Sequence, residues 1–187
     1  MKILGISGSL RNGSHNTNLL RAASEPLPPD VELELWDGLK AVPPDDEDDD
    51  APPAPAPVAA RREAIAGADA VLFATPEYNW SIPGVLKNAI DWVSRPLATN
   101  PLRNKPVVVI GASTGAFGAV WAQAELRKVL SATGARVLGD EVAVGHAQTR
   151  FDDEGRLVDG ELRDQLSEVL AALVAEVAPA PSLAATA

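Results

Sequence analysis

The sequence has no cysteine, so disulfide bridges, thiol nucleophiles and thiolate metal ligands are excluded together. Its two histidines, His15 and His146, are too few for a histidine-rich zinc site. No apolar run approaches the roughly 18 residues that a helical membrane crossing requires. Positive charge is scarce: 16 Lys and Arg stand against 26 Asp and Glu, a formal net charge of −10. Such a surface repels nucleic-acid phosphates and anionic membranes, so neither is an expected partner. Part of the excess is local, because Asp45, Asp46, Glu47, Asp48, Asp49 and Asp50 are consecutive. Met1-Lys2-Ile3-Leu4-Gly5 leads directly into a strand pattern, without secretory or transit character. A cytoplasmic protein without a metal is expected.

What is present suits one α/β domain over residues 1–178. The chain has 187 residues and is 46% hydrophobic, enough to bury most of its apolar surface. Strands are expected at Lys2–Ser7, at 70–75, at Pro106–Ile110 and within 136–144. Val31-Glu32-Leu33-Glu34-Leu35-Trp36 alternates with period two, as a half-buried edge strand does. Helices are expected near 16–23, 58–67, 83–94, 119–133 and 160–177. On the third of these, Val85, Leu86, Ala89, Ile90 and Val93 share one face, with Lys87, Asn88, Asp91 and Ser94 opposite. Residues 43–57 have neither period nor apolar content and read as a mobile acidic, proline-rich loop, and 179–187 as a disordered tail. Strands alternating with helices imply a parallel sheet covered on both faces.

The first loop, Gly8-Ser9-Leu10-Arg11-Asn12-Gly13-Ser14-His15-Asn16, joins a strand to a helix. A helix start offers unpaired amides and partial positive charge, which suit a phosphate. Serine hydroxyls add donors, and Arg11 supplies a guanidinium fork. The plainer alternative is a solvated loop with Ser14 or Asn16 as an ordinary N-cap. Gly8 and Gly13 have the spacing of a nucleoside-triphosphate loop, but Ser14-His15 stands where Lys-Ser/Thr is needed. The dinucleotide pattern G-x-G-x-x-G is absent. A single phosphate fits better than either.

The most informative stretch runs Thr75-Pro76-Glu77-Tyr78-Asn79-Trp80-Ser81-Ile82-Pro83-Gly84-Val85-Leu86-Lys87-Asn88-Ala89-Ile90-Asp91-Trp92. A buried strand stops at a proline, and a helix begins after Pro83-Gly84. A third loop, Gly111-Ala112-Ser113-Thr114-Gly115, follows the next strand. In open α/β sheets, loops at the carboxyl ends of strands are where ligands dock.

The three blocks together resemble the NAD(P)H-dependent FMN reductase family, which includes quinone, azo-dye and chromate reductases. The likeness runs from about residue 2 to 175. It implies a flavodoxin-like three-layer fold with strand order 2-1-3-4-5, FMN as cofactor and NAD(P)H as co-substrate. By the same resemblance, Ser9, Leu10, Arg11, Ser14, His15 and Asn16 would hold the phosphate end. Pro76, Glu77, Tyr78 and Asn79 would border the flavin ring on one side, Ser113 and Thr114 on the other. The loop at 76–79 would lend backbone amides to the ring edge, and Tyr78 would lie beside it. The implied acceptor is a quinone, an azo compound or free flavin, reached by ping-pong hydride transfer, and the implied assembly is a homodimer, or a tetramer. No side chain needs to be a catalytic acid, so Glu77 and Asp91 receive no proton-transfer role. Trp80 either walls the nicotinamide or substrate pocket or packs at a dimer seam.

Other readings compete. A flavodoxin-like electron carrier would hold FMN without NAD(P)H turnover. Gly111-x-Ser113-x-Gly115 also matches a nucleophile elbow, with Asp140 or Glu141 and then His146 in hydrolase order. The acid and the histidine are five or six residues apart on one strand-like segment, poorly placed to converge on one serine. The chain departs from its relatives after the third loop. Many carry Gly-Gly-x-Arg-x-Gln, where this chain has Gly118-Ala119-Val120-Trp121-Ala122-Gln123. Trp121 for arginine removes a cation that could contact an anionic substrate or a partner subunit.

Overall fold

The protein is described by a computed structural model covering residues 1–139 and 141–177. The tail at 179–187 and Asp140 lie outside the described residues. Six strands form one parallel sheet: β1 Lys2–Ser7, β2 Glu32–Trp36, β3 Ala70–Thr75, β4 Pro106–Ala112, β5 Arg136–Val137 and β6 Val142–Val144. Their order is β2-β1-β3-β4-β5, with β6 also on β4. Four helices connect them, α1 His15–Ala22, α2 Ala56–Ala66, α3 Gly84–Val93 and α4 Val120–Ala132, and α5 Gly160–Val177 follows β6.

The central strands are apolar on both faces, as a doubly covered parallel sheet demands. Every residue of β3 and β4 is buried. Their period of two splits the core into two layers. Ala70, Leu72, Ala74, Val108, Ile110 and Ala112 join Leu19, Leu20, Leu166, Leu170 and Leu173 of α1 and α5. Val71, Phe73, Val107 and Val109 join Ile65, Leu86, Ile90, Leu126 and Leu130 of α2, α3 and α4. The edge strand β2 is half-buried, which is why its sequence alternates.

Two expectations need correction. The single fifth strand over 136–144 is two stretches, because Val107 pairs with Val137 whereas Ile110 pairs with Val142. Three steps along β4 are matched by five along its neighbour, so two extra residues must leave the ladder, as in a bulge. Val85 does not join the inward stripe of α3 and is 40% exposed. The buried face is carried by Leu86, Ala89, Ile90 and Val93, a spacing of i, i+3, i+4, i+7, while Val85 sits in the first turn at the rim.

The acidic segment after β2 is tied to α3. The Pro43 carbonyl accepts from Trp92 Nε1 at 2.9 Å and from Asn88 Nδ2 at 2.8 Å. The Asp45 N–H donates to Asn88 Oδ1 at 2.7 Å. Arg62 on α2 donates to Asp50 at 2.9 Å and to the Trp92 carbonyl at 2.8 Å. Trp92 is thereby fully buried. Nearby, Arg61 is buried with its guanidinium 4.5 Å from the Trp36 ring centre, and desolvation pushes its pKa down to about 9.

Gly118 adopts φ of +58°, and a Cβ there would lie 2.6 Å from the Val144 nitrogen. Both the dihedral and the space exclude a side chain. Gly118→Ala should therefore cost at least about 2 kcal/mol, read as a lower urea midpoint.

Candidate functional site

The strand register places three loops side by side. Ser7 pairs with Ala74 and Thr75 with Gly111, so β1, β3 and β4 end at one rim. A cavity of about 210 Å³ opens there, lined by Ser9, Arg11, Ser14, His15, Asn16, Pro76, Glu77, Tyr78, Ala112, Ser113 and Thr114. Leu10 and Asn79 stand outside it. Leu10, 43% exposed, borders a neighbouring hollow of about 390 Å³, and Asn79 occupies a turn. Ala112 lines the cavity although nothing in its residue type announces it.

The first loop is shaped by its own hydroxyls. Ser7 Oγ accepts from the Ser9 N–H at 3.3 Å and from Thr17 Oγ1 at 3.0 Å. Ser14 caps α1 by accepting from the Thr17 N–H at 3.3 Å. Gly8 packs so close to Leu86 that a Cβ would come within 2.9 Å of it, which seats the first loop against α3 and Pro76. Arg11 folds back to donate to the Gly13 carbonyl at 2.9 Å and leaves its other donors to solvent. Among the described residues, no acceptor takes the backbone N–H of Ser14, His15 or Asn16. These amides, the dipole of α1 and the Arg11 charge make this end of the cavity receptive to an anion.

Asn16 has a further task. Its side chain, 3% exposed, donates to the Ala112 carbonyl and accepts from the Ala112 N–H, each at 2.9 Å. It thus bonds the first loop to the third. The side chain is committed to that bond, whereas its backbone N–H remains available to the cavity.

His15 stacks on Phe151 with ring centres 5.7 Å apart. Its buried Nδ1 has no partner among the described residues. Burial, and then the nearby Arg11 charge, hold its pKa below the ordinary imidazole value.

The second loop is a tight hairpin. Tyr78 and Ser81 exchange both backbone hydrogen bonds, at 2.9 and 3.1 Å. Asn79 and Trp80 between them have φ of +53° and +65°. Positive φ at both central residues is the arrangement that matches strand twist in two-residue hairpins. Glu77 reaches across to α4, where its Oε2 accepts from the N–H groups of Trp121 and Ala122 at 3.2 Å each. It serves as a helix cap supplied from another loop.

The third loop is stitched to the segment beyond β6. The Ser113 N–H donates to the Val144 carbonyl, and the His146 N–H to that of Gly115. Gln123, fully buried, donates to the Gly118 and Val142 carbonyls at 3.0 and 3.3 Å. Among the described residues, which leave out Asp140, no hydrolase triad is assembled. Ser113 Oγ accepts from the Gly115 N–H, Glu141 is paired with Arg127 at 2.6 Å, and no bond joins Ser113 to His146 among the described residues. No group of acids and histidines able to hold a metal occurs among the described residues, and no described helix is long and apolar enough to cross a membrane.

Residues 1–149 match the family model for NADPH-dependent FMN reductase. The chain belongs to that family. Among curated relatives, it is 47% identical to an NAD(P)H-dependent FMN reductase of Pseudomonas aeruginosa, covering 92% of this chain and 93% of the relative. It is 37% identical to a quinone reductase of Escherichia coli over 92% and 93% of the two chains. A 2-hydroxy-1,4-benzoquinone reductase of a Burkholderia species is also 37% identical, over 89% and 90%. The solved structure of FerB, a flavoenzyme NAD(P)H:(acceptor) oxidoreductase from Paracoccus denitrificans, superposes with a TM-score of 0.83. That match has 32% identity and covers 94% of this chain and 96% of FerB. Membership of the NADPH-dependent FMN reductase family makes the chain an oxidoreductase that works with FMN and NAD(P)H, on the flavodoxin-like fold expected.

Folding favours neutral His15. Its contribution to stability is complete above the unfolded value of 6.5 and is lost as pH falls through the lower folded value. The urea midpoint of the wild type should therefore drop more steeply from about pH 7.5 to about pH 5.5 than that of His15→Gln.

Proposed function

We propose that the three-loop cavity holds FMN, and that the protein passes electrons from NAD(P)H to a small oxidised acceptor in alternating visits to one pocket. The observation that carries this reading is the polarity of the cavity. One end offers unpaired amides and a guanidinium, and the other is bounded by Pro76, Tyr78, Ser113 and Thr114. A monophosphate with a flat, uncharged ring has the same polarity. Bound FMN supplies two-electron chemistry, accepting hydride from the nicotinamide and giving electrons to a quinone, an azo compound or free flavin. Quinone reductases among the relatives support that acceptor class.

The chain's own contribution is binding, orientation and electrostatics. Ser9, Arg11, Ser14, His15 and Asn16 hold the anionic end, with Arg11 offsetting phosphate charge. Pro76, Glu77, Tyr78 and Asn79 shape one border of the ring site by a hairpin that cannot slide, and Ser113 and Thr114 the opposite border. Leu10 supports the cradle from its outer side. Proton donors near the ring are backbone N–H groups, so no titrating acid is required.

A homodimer accords with the rim. Tyr78, Trp80, Val85, Phe117 and Trp121 are large apolar groups left exposed around the cavity. A cluster of that kind is more often covered than wet. A cytoplasmic location accords with NAD(P)H as reductant.

One sample tests the reading. Purified protein, reconstituted with FMN, should be yellow and should bleach when NADPH is added without oxygen. A colourless protein that takes up no FMN would overturn the proposal, and a yellow one that NADPH leaves oxidised would make it an electron carrier. Arg11→Ala should weaken FMN binding by about tenfold to a hundredfold in fluorescence titration, the loss of one or two charge-assisted hydrogen bonds. Undiminished affinity would remove Arg11 from the cradle.

A further inference from the structure

The start of α4 is capped from outside its own chain neighbourhood. A helix leaves its first four N–H groups without internal partners. Here the Val120 N–H donates to the Phe117 carbonyl at 3.3 Å, and the first bond of the helix itself runs from the Gln123 N–H to the Ala119 carbonyl at 2.9 Å. The two between them, of Trp121 and Ala122, both go to Glu77 Oε2. The residue at the cap position, Ala119, has no side-chain oxygen and sits at φ of +63°. A carboxylate at that point also faces the positive end of the peptide dipoles. Glu77 thus takes two of the N–H groups that precede the first bond of the helix.

The same helix start carries an aromatic cluster. The Trp121 ring meets Trp80 edge-on at 4.3 Å and Phe117 edge-on at 5.1 Å. Trp80 and Phe117 are 67% and 63% exposed, so little surrounding surface fixes them. Their positions follow from the backbone that bears them. Trp80 lies on the Glu77 loop, three residues on, and Trp121 donates its own N–H to Glu77. The second loop and α4 are thus joined twice, by the carboxylate and by the indole pair, beside a cavity that Glu77 and Tyr78 line.

We propose that Glu77 is a positioning residue: its carboxylate sets the first turn of α4 and holds Trp121 against Trp80 and Phe117 as a wall at the pocket rim that favours flat, uncharged acceptors. The acceptor part rests on the oxidoreductase reading above, whereas the wall does not. Edge-on indoles at this distance couple their transitions and give a paired circular-dichroism band in the far ultraviolet, readable without flavin.

Trp80→Phe should abolish that band, and Glu77→Ala should reduce it towards the Trp80→Phe spectrum. Glu77→Gln, which keeps an acceptor oxygen for both amides, should restore most of it. In the FMN-loaded enzyme, Glu77→Ala should raise the KM for 1,4-benzoquinone about tenfold, a larger change than in kcat. Wild-type hydrogen exchange needs no variant: the Trp121 and Ala122 amides should exchange slowly, as bonded amides do. An undiminished band in Glu77→Ala, or fast exchange at both amides, would overturn the latch. Loss of the band with an unchanged KM would overturn the acceptor role and leave Glu77 a helix cap. If no FMN binds at all, the function proposed above fails while the flavin-free band still decides on Glu77.

Discussion

The parallel pairing of β1, β3 and β4 is the constraint from which everything else follows. Because Ser7 faces Ala74 and Thr75 faces Gly111, three strands finish level with one another. Parallel strands force each connection to leave at the same end and return through a helix. The loops after β1, β3 and β4 are therefore neighbours at one rim although they are far apart in the chain. The cavity is a consequence of topology, and its chemistry is a consequence of which residues those loops carry.

Neighbouring loops do not by themselves hold a shape, and the polar ties between them provide it. Asn16 fastens the first loop to the third through both polar groups of Ala112. Glu77 fastens the second loop to the helix that follows the third. Gln123 fastens that helix to the third loop and to β6 from within the core. Glu77 makes its bonds half-buried, whereas Asn16 and Gln123 are buried and have little or no alternative solvation. In such surroundings a missing partner costs more than the bond itself contributes, which makes the arrangement specific as well as stable.

The sequence carried its local signals openly. Apolar runs ending at Pro76 or Gly111 marked strands that stop at the rim, and the helical spacing of Leu162, Leu166, Val169, Leu170 and Leu173 marked α5, where all but the partly buried Leu162 are buried. The anion-receptive helix start was legible because the loop that joins a strand to a helix carries Ser9, Arg11 and Ser14. What escaped was long-range. The Asn16 bond spans 96 residues and the Glu77 cap 44, and neither residue type signals such a partner. The two-residue excess that splits the fifth strand depends on its register with β4, which no period within 136–144 reveals. Val85 differs for a related reason: helical spacing puts it on the apolar stripe, but at the start of the first turn of α3 it is left 40% exposed. The link from Pro43 to Asn88 and Trp92 gives polar motif residues on α3 a structural task that their spacing could not express.

The hairpin at Tyr78–Ser81 has a consequence for how the molecule comes apart. Trp80 holds a dihedral that L-residues other than asparagine and aspartate resist by about 1 kcal/mol or more, so this segment in isolation would choose another conformation. Its shape exists only while β3, α4 and the Glu77 bond surround it. Regions held against their own preference open at lower free energy than the core beneath them. On warming, then, the border of the cavity would melt as a small cooperative unit while the sheet persists, and grip on a ligand would fail well before the domain unfolds.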